Sequence, residues 1–286
     1  HADVDVSREV LKDWVSSYMQ KDYYQWAIVL KEHGEDPIGS ISAVKVNDDI
    51  DMVICMYNVG DKDVFTFASE LKQESRHIPF VLLTHFSKEI YRRIALQDTS
   101  AVDYMFSWHG NADLIVAIIK LFEDLKNSEN DIVDKGVQAI LLVEDSVRFY
   151  STYLPELYKL ILKQSSEFLK ETLNEQQRKF RKRSRPKILL ATNLDDALQM
   201  YTRYRNNLLG VISDVGFTVH KGDSADMEKL DAGIDLVKHI KADNEKMPIL
   251  LQSSQDSISA VAKELGVGFL RKYSKTLMLQ LSDYIK

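Results

Sequence analysis

The chain has 286 residues, of which 45% are hydrophobic, so it is long enough for one large domain or two domains of ordinary size. Its formal net charge of -6 at pH 7 gives no basic bias, and nucleic acid is therefore not expected as a partner. The single cysteine, Cys55, excludes a disulfide framework within one chain, and no apolar run reaches the roughly 18 residues of a membrane helix. These features predict a cytoplasmic protein with no membrane partner.

The first 53 residues have a pattern of their own. Val6–Gln20 predicts an amphipathic helix, and Tyr23–Glu32 with Ile38–Val46 predicts a hairpin that turns at His33–Pro37. A helix followed by an antiparallel hairpin differs from the strand and helix alternation of the remaining chain.

The sequence QWAIVLKEHGEDPIGSISAVKVND at 25–48 resembles the early helix and strands of GNAT acetyltransferases. That resemblance ends near Val53, and no Gln/Arg-x-x-Gly-x-Gly/Ala loop follows to bind the pyrophosphate of coenzyme A. Acetyl transfer is therefore not expected. We interpret residues 1–53 as a GNAT-like fragment, natural or engineered, that could complete the sheet of the next unit.

Residues 54–128 alternate short apolar runs with amphipathic stretches, the pattern of parallel strands joined by helices. The polar stretch 127–135 is well suited to link this unit to the next one. The predicted strands are 51–56, 79–84 and 102–106, and the predicted helices are 64–74, 88–96 and 112–126.

Residues 137–286 repeat the same pattern with five strands, which predicts an α/β fold with a parallel (βα)5 sheet. Because one helix would normally join the first two strands, the long connection predicts a helical insertion at about 147–186. The basic run at 178–187 is interpreted as a solvated helix end. The predicted strands are 139–143, 187–191, 209–213, 248–252 and 268–271, and the predicted helices are 195–205, 232–243, 257–265 and 275–285.

Charged and hydroxyl side chains stand at the ends of these strands. Glu144 and Asp145 follow the first strand, Asp214 follows the third, Ser253 ends the fourth and Lys272 follows the fifth. The carboxyl ends of parallel strands meet at one edge of a sheet, so these side chains should converge. An acidic pair alone is more often a helix cap, but three carboxylates together are suitable ligands for a divalent cation.

Four motifs carry a resemblance to the receiver domains of bacterial response regulators: LLVEDS at 141–146, VISDVGF at 211–217, PILLQSS at 248–254 and FLRK at 269–272. The resemblance implies that Asp214 accepts a phosphoryl group and that Ser253, Phe269 and Lys272 sense it. It also implies a site for Mg²⁺ or Mn²⁺. The implied metal ligands are Glu144, Asp145, Asp214 and the backbone carbonyl of Gly216. Tyr273 departs from the family, which usually has proline after the lysine.

The same template places Met56 at the acceptor position and Ser107 at the lysine position of residues 54–128, while Thr84 keeps the hydroxyl position. This unit therefore resembles a degenerate pseudo-receiver. The whole chain is predicted to contain two flavodoxin-like (βα)5 domains with five-stranded parallel sheets. A degenerate receiver followed by an intact one resembles the receiver pair attached to phosphoenolpyruvate-synthase-related bacterial proteins.

The resemblance implies phosphorelay signalling in a two-component system. A histidine kinase or phosphotransfer protein would modify Asp214, and the phosphate would switch an interface toward a homodimer or a downstream effector. Self-phosphorylation from small donors and autodephosphorylation are then the only enzymatic activities expected. Two alternatives stay open: a phosphorylation-independent interaction scaffold, and a phosphatase-like enzyme. The second alternative generally needs another Asp where Gly216 stands.

Overall fold

The computed structural model describes residues 23–29, 37–44, 52–57, 63–85, 88–94, 96–108, 110–170, 185–223 and 227–273. The chain divides into two compact units, His1–His109 and Gly110–Lys286. Within the described ranges, no helix has the length and apolar character needed to cross a membrane.

Two small sheets belong to the first unit. Strands β1 (Tyr23–Val29) and β2 (Pro37–Val44) pair antiparallel, as the hairpin prediction requires. Strands β3 (Val53–Met56), β4 (Phe80–Thr84) and β5 (Tyr104–Ser107) form a parallel sheet in that order. Among the described strands, β1 and β2 form a sheet of their own and do not complete the parallel one. The predicted helix at 6–20 and the turn at 33–36 lie outside the described residues.

The parallel sheet of the first unit has two described helices, α1 (Val64–Glu74) and α2 (Lys88–Ile94). Helix α1 begins where it does because the Asp63 carboxylate accepts a hydrogen bond from the backbone N–H of Thr66 at 2.8 Å. Its buried side chains pack with those of the strands in one apolar cluster. Three strands of the five predicted for this domain are thus found in the described part of the chain.

The second unit contains a five-stranded parallel sheet in the order β10-β9-β8-β6-β7. Counted from its own first strand, this order is 2-1-3-4-5, the order of flavodoxin-like folds, so the predicted fold class is confirmed for this unit. The strands are β6 (Ala139–Val143), β7 (Lys187–Ala191), β8 (Leu208–Asp214), β9 (Ile249–Ser253) and β10 (Gly268–Arg271). The helices are α3 (Ala112–Lys126), α4 (Val147–Lys170), α5 (Leu194–Tyr204), α6 (Ala232–Asp243) and α7 (Ile258–Glu264).

Strands β6, β7 and β9 of the second unit are buried along their whole length, which is why they are nearly continuous apolar runs. From β6 the chain passes first to β7 on one side and then to β8 on the other side, so the order of the strands reverses at β6. In sheets of this kind a crevice opens beyond the carboxyl ends of the strands at that point. The predicted helix at 275–285 and residues 171–184 of the predicted insertion lie outside the described residues.

Helix α3 packs with the second unit, although the sequence predicts the boundary after it, at 127–135. Besides an apolar face with Leu114, Ile118 and Leu121 buried, α3 contributes a buried ion pair. Asp124 is fully buried on α3 and accepts hydrogen bonds from Arg185 at 2.6 Å and 3.0 Å and from the Tyr158 hydroxyl at 2.9 Å. Asp131, which follows α3, lies 2.7 Å from the Lys187 ammonium.

These contacts correct the interpretation of the basic run at 178–187. Arg185 and Lys187 are 5% and 3% exposed, so the prediction of a solvated helix end is wrong for both. Their acidic partners come from a segment more than fifty residues upstream, which a local charge pattern does not indicate. Residues 178–184 of the run lie outside the described residues.

Candidate functional site

A pocket of about 150 Å³ opens at the carboxyl ends of β8, β9 and β10. Asp214, Ser253 and Lys272 line it, together with Gly216, and the rings of Phe149 and Tyr273 form part of its wall. The pocket therefore lies at the edge of the sheet where parallel strands of this fold present their ligand-binding residues.

Three carboxylates meet beside the pocket. Val143 pairs with Ser213 in the sheet, so the next residues, Glu144 and Asp214, lie side by side. Glu144, Asp145 and Asp214 each offer an oxygen, and these oxygens lie within 4.8 Å of one another. In the part of the chain that the structure describes, this is the one group of three such residues close enough to hold a metal ion.

Burial and neighbouring negative charges raise the pKa values of two of these carboxyl groups. Burial, and after it the neighbouring Asp214 carboxylate, raises the pKa of Glu144. Burial, followed by the charges of Asp214 and Glu228, raises the pKa of Asp145 to about 6. The cluster thus holds more negative charge than its surroundings neutralise.

Lys272 supplies the positive charge inside the cluster. Its Nζ lies 2.5 Å from Asp214 Oδ2 and 2.8 Å from Glu144 Oε2, and the residue is 5% exposed. Burial alone would lower the pKa of Lys272, but the charges of Glu144 and Asp214 raise it overall. The ammonium therefore contacts two of the three carboxylates of the cluster.

A hard divalent cation fits this arrangement. Carboxylate oxygens are the ligands that Mg²⁺ and Mn²⁺ prefer, and three carboxylates exceed the charge of one lysine. The buried Glu144 Oε2 lies near Lys272 but has no partner with hydrogen-bond geometry in the described part of the chain. The residues that could hold such an ion are the predicted ones, Glu144, Asp145 and Asp214.

The backbone around Asp214 fixes the direction of its carboxylate. Asp214 Oδ1 accepts a hydrogen bond from the Val215 backbone N–H at 2.7 Å. The other carboxylate oxygen, Oδ2, accepts a hydrogen bond from the Lys272 ammonium. Gly233 at the start of α6 approaches so closely that a Cβ there would clash with the Asp214 backbone oxygen. Ser253 ends β9, and its Oγ accepts the Gln255 N–H at 3.1 Å.

The structure brings most of the predicted site residues together, but not Phe269. Asp214, Gly216, Ser253 and Lys272 line one pocket, and Glu144 and Asp145 adjoin it through the carboxylate cluster. Phe269 is paired with Leu251 in the sheet and packs against the apolar core. Its role as a switch aromatic, and that of the Gly216 carbonyl as a ligand, stay predictions.

Two residues at the site were not found from the sequence. Glu228 lines the pocket, and its carboxylate occupies the space where a side chain at position 216 would lie. It is one of several acids in its loop, so nothing in the pattern singles it out. Phe149 lies in the first turn of α4, and nothing in the sequence pattern links it to Lys272, which is remote along the chain.

The corresponding strand ends of the first unit carry no such charges. Met56 ends β3, Thr84 ends β4 and Ser107 ends β5. The Thr84 hydroxyl lies 3.5 Å from the Phe106 carbonyl oxygen within its own sheet. None of these three side chains can accept a phosphoryl group as a carboxylate does.

No family model and no curated protein sequence matches this chain. Among solved structures, a response regulator receiver domain protein from Clostridium thermocellum is similar at 21% identity with a TM-score of 0.33, over 52% of this chain and 90% of that chain. A putative two-component system response regulator/GGDEF domain protein is 16% identical with a TM-score of 0.33, over 83% of this chain and 80% of that chain. The fold assignment rests on the strand order described above.

Next to the site, Gln252 is buried and has no hydrogen-bond partner for its amide group among the residues that the structure describes. It is 1% exposed and pairs with Asp214 in the sheet. Gln252→Met keeps the length of the side chain and removes the unpaired polar atoms, so we expect it to raise the free energy of unfolding by about 1–3 kcal/mol. Urea denaturation measures this difference.

The exposed Gln255 gives the matched control for that measurement. Gln255→Met should change the free energy of unfolding by no more than about 0.5 kcal/mol. A loss of stability in Gln252→Met would mean that the amide has a hydrogen-bond partner and would contradict the prediction.

Proposed function

We propose that the second unit accepts a phosphoryl group on Asp214, with Mg²⁺ or Mn²⁺ held by Glu144, Asp145 and Asp214, as part of two-component signalling. The observation that carries the proposal is the convergence of these carboxylates and Lys272 on one pocket at the carboxyl edge of a 2-1-3-4-5 sheet. Each residue alone has a simpler structural explanation, but the set has the charges and the space that phosphoryl transfer to a carboxylate needs.

The chemistry requires few protein groups. An Asp214 oxygen forms the new bond to phosphorus while the bond between phosphorus and the donor atom breaks, and the donor keeps the electron pair. Transfer of this kind depends mainly on positioning and on charge stabilisation. The bound cation would neutralise charge on the phosphoryl oxygens. Lys272 already contacts Asp214 Oδ2, so a small rotation of its side chain would bring the ammonium to a phosphoryl oxygen.

Ser253 and the exposed rim of the pocket would convert phosphorylation into a changed interface. Ser253 lines the pocket, so its hydroxyl is available to a phosphoryl oxygen. Tyr273 and Leu230, which also line the pocket, are 63% and 74% exposed. A rim of this kind suits a histidine kinase or phosphotransfer protein as donor, and a second copy or an effector as the receiving partner. In this proposal the first unit is a degenerate receiver that serves as an interaction module.

Intact mass measurement tests the proposal. The whole chain is incubated with acetyl phosphate and Mg²⁺, and we expect one added phosphoryl group that peptide mapping places on Asp214. The same incubation with a chelator should give no label. An unlabelled chain that also fails to bind beryllofluoride in the presence of Mg²⁺ would refute phosphoryl acceptance and favour the interaction scaffold.

A further inference from the structure

Lys272 has a third neighbour besides its two carboxylates. Its Nζ lies 4.1 Å from the centroid of the Phe149 ring, within the range of a cation–π contact. The contact is buried, because Lys272 is 5% exposed. The ammonium is therefore held between two anions and one aromatic face.

Other aromatic side chains hold the Phe149 ring in place. Tyr153, which is 1% exposed, stacks on it with the ring centroids 5.8 Å apart. Tyr273 meets it edge to face at 5.1 Å, and the Arg148 guanidinium lies 5.4 Å from the centroid of the Tyr273 ring. The ring is thus packed on one side by a buried neighbour and on another by the residue that follows Lys272.

Tyr273 reaches this position through an uncommon backbone conformation. Its φ is 66°, and among the described residues it is the one non-glycine residue with a positive φ. Such a conformation disfavours an L-residue and persists where surrounding contacts hold it. Among the described residues, Phe149 and Arg148 contact the Tyr273 ring.

A lysine side chain is flexible, and the carboxylates that hold it are also the candidate metal ligands. A cation bound to these oxygens would weaken their hold on the ammonium and would repel it. An aromatic face still attracts the ammonium, because it attracts cations without serving as an oxygen ligand. Phe149 therefore keeps its attraction when Glu144 and Asp214 are engaged by the metal.

We propose that Phe149 is a positioning residue that holds the Lys272 ammonium at the pocket through its ring face, with Tyr273 fixing the ring. The role in phosphoryl transfer rests on the proposed function. Phe149→Leu keeps an apolar side chain and removes the ring face, so we expect the maximal rate of labelling by acetyl phosphate to fall about tenfold. The Mg²⁺ concentration for half-maximal rate should stay within about twofold, and Phe149→Tyr, which keeps the face, should restore most of the rate.

A double-mutant cycle separates positioning from a general packing role. In a Lys272→Met background there is no ammonium to position, so Phe149→Leu should change the labelling rate little. Equal losses in both backgrounds would overturn the proposal, as would an unchanged rate in Phe149→Leu.

Should Phe149→Leu fail to fold, ring-fluorinated phenylalanine at position 149 weakens the attraction of the face with little change in shape. The rate should then fall with each added fluorine, and a constant rate would overturn the proposal.

The same cycle is read a second time by urea unfolding, which does not depend on phosphorylation. A favourable coupling between Phe149 and Lys272 in the free energy of unfolding is expected, and its absence would overturn the proposed contact. A different outcome is that the cycle shows this coupling but the wild-type protein takes no label from acetyl phosphate. That outcome would refute the proposed function, and with it the role of Phe149 in transfer. The contact between Phe149 and Lys272 would stand.

Discussion

Asp214→Asn is expected to abolish phosphoryl labelling by acetyl phosphate. The substitution keeps the size and the hydrogen bond from the Val215 N–H, but an amide oxygen is not the anionic nucleophile that the transfer needs. The loss should be complete within the detection limit of intact mass measurement, whereas substitutions around the acceptor are expected to slow labelling. This is the largest effect on activity that the structure predicts.

A matched control for this measurement is Asp195→Asn. Asp195 lies in the first turn of α5, its side chain is 58% exposed, and its contact is the exposed His220. Its variant should be labelled at the wild-type rate. Label that persists in Asp214→Asn would show that another residue accepts the phosphoryl group, and would contradict the assignment of the site.

Asp214→Asn should also change the titration of its neighbours. The Asp214 charge is among the causes that raise the pKa of Glu144 and of Asp145. Removing that charge should lower both pKa values toward their ordinary range. Carboxyl resonances followed by NMR across a pH series measure this shift, and unchanged pKa values would mean that the three groups do not interact.

The largest expected effect on stability belongs to Asp124→Asn. Asp124 is fully buried and neutralises the buried Arg185, with the Lys187 ammonium 3.6 Å away. The variant leaves Arg185 without its nearest counter-charge, while Lys187 keeps Asp131 at 2.7 Å. Breaking a buried pair in this way typically costs about 3–5 kcal/mol. We therefore expect the free energy of unfolding, measured by urea denaturation, to fall by that amount.

An exposed ion pair in the same region provides the control. Glu129 pairs with Arg203, and their side chains are 57% and 55% exposed. Exposed pairs contribute about 0–1 kcal/mol, so Glu129→Gln should change stability little. Equal effects of the two variants would show that the Asp124 pair is hydrated in solution and would remove one physical reason for α3 belonging to the second unit.

The sequence by itself determined the described strands of the second unit and the strand-end positions of most of the predicted site residues. The strands were predicted within about two residues of their observed ends, because buried parallel strands are continuous apolar runs bounded by turns. Glu144, Asp145, Asp214, Ser253 and Lys272 were identified because each stands at or just beyond the end of such a strand. Parallel strands then bring these ends to one edge without further information.

Only the tertiary structure decided which distant groups meet. Asp124 and Arg185 are 61 residues apart, and their pairing helps to assign α3 to the second unit against the boundary that polar composition predicts. The positions of Glu228, and of Phe149 against Lys272, likewise depend on how a loop and a helix turn toward the pocket. A local pattern sets the secondary structure and which face of it is apolar, whereas the partner of a charge or of a ring is chosen by packing between segments remote in sequence.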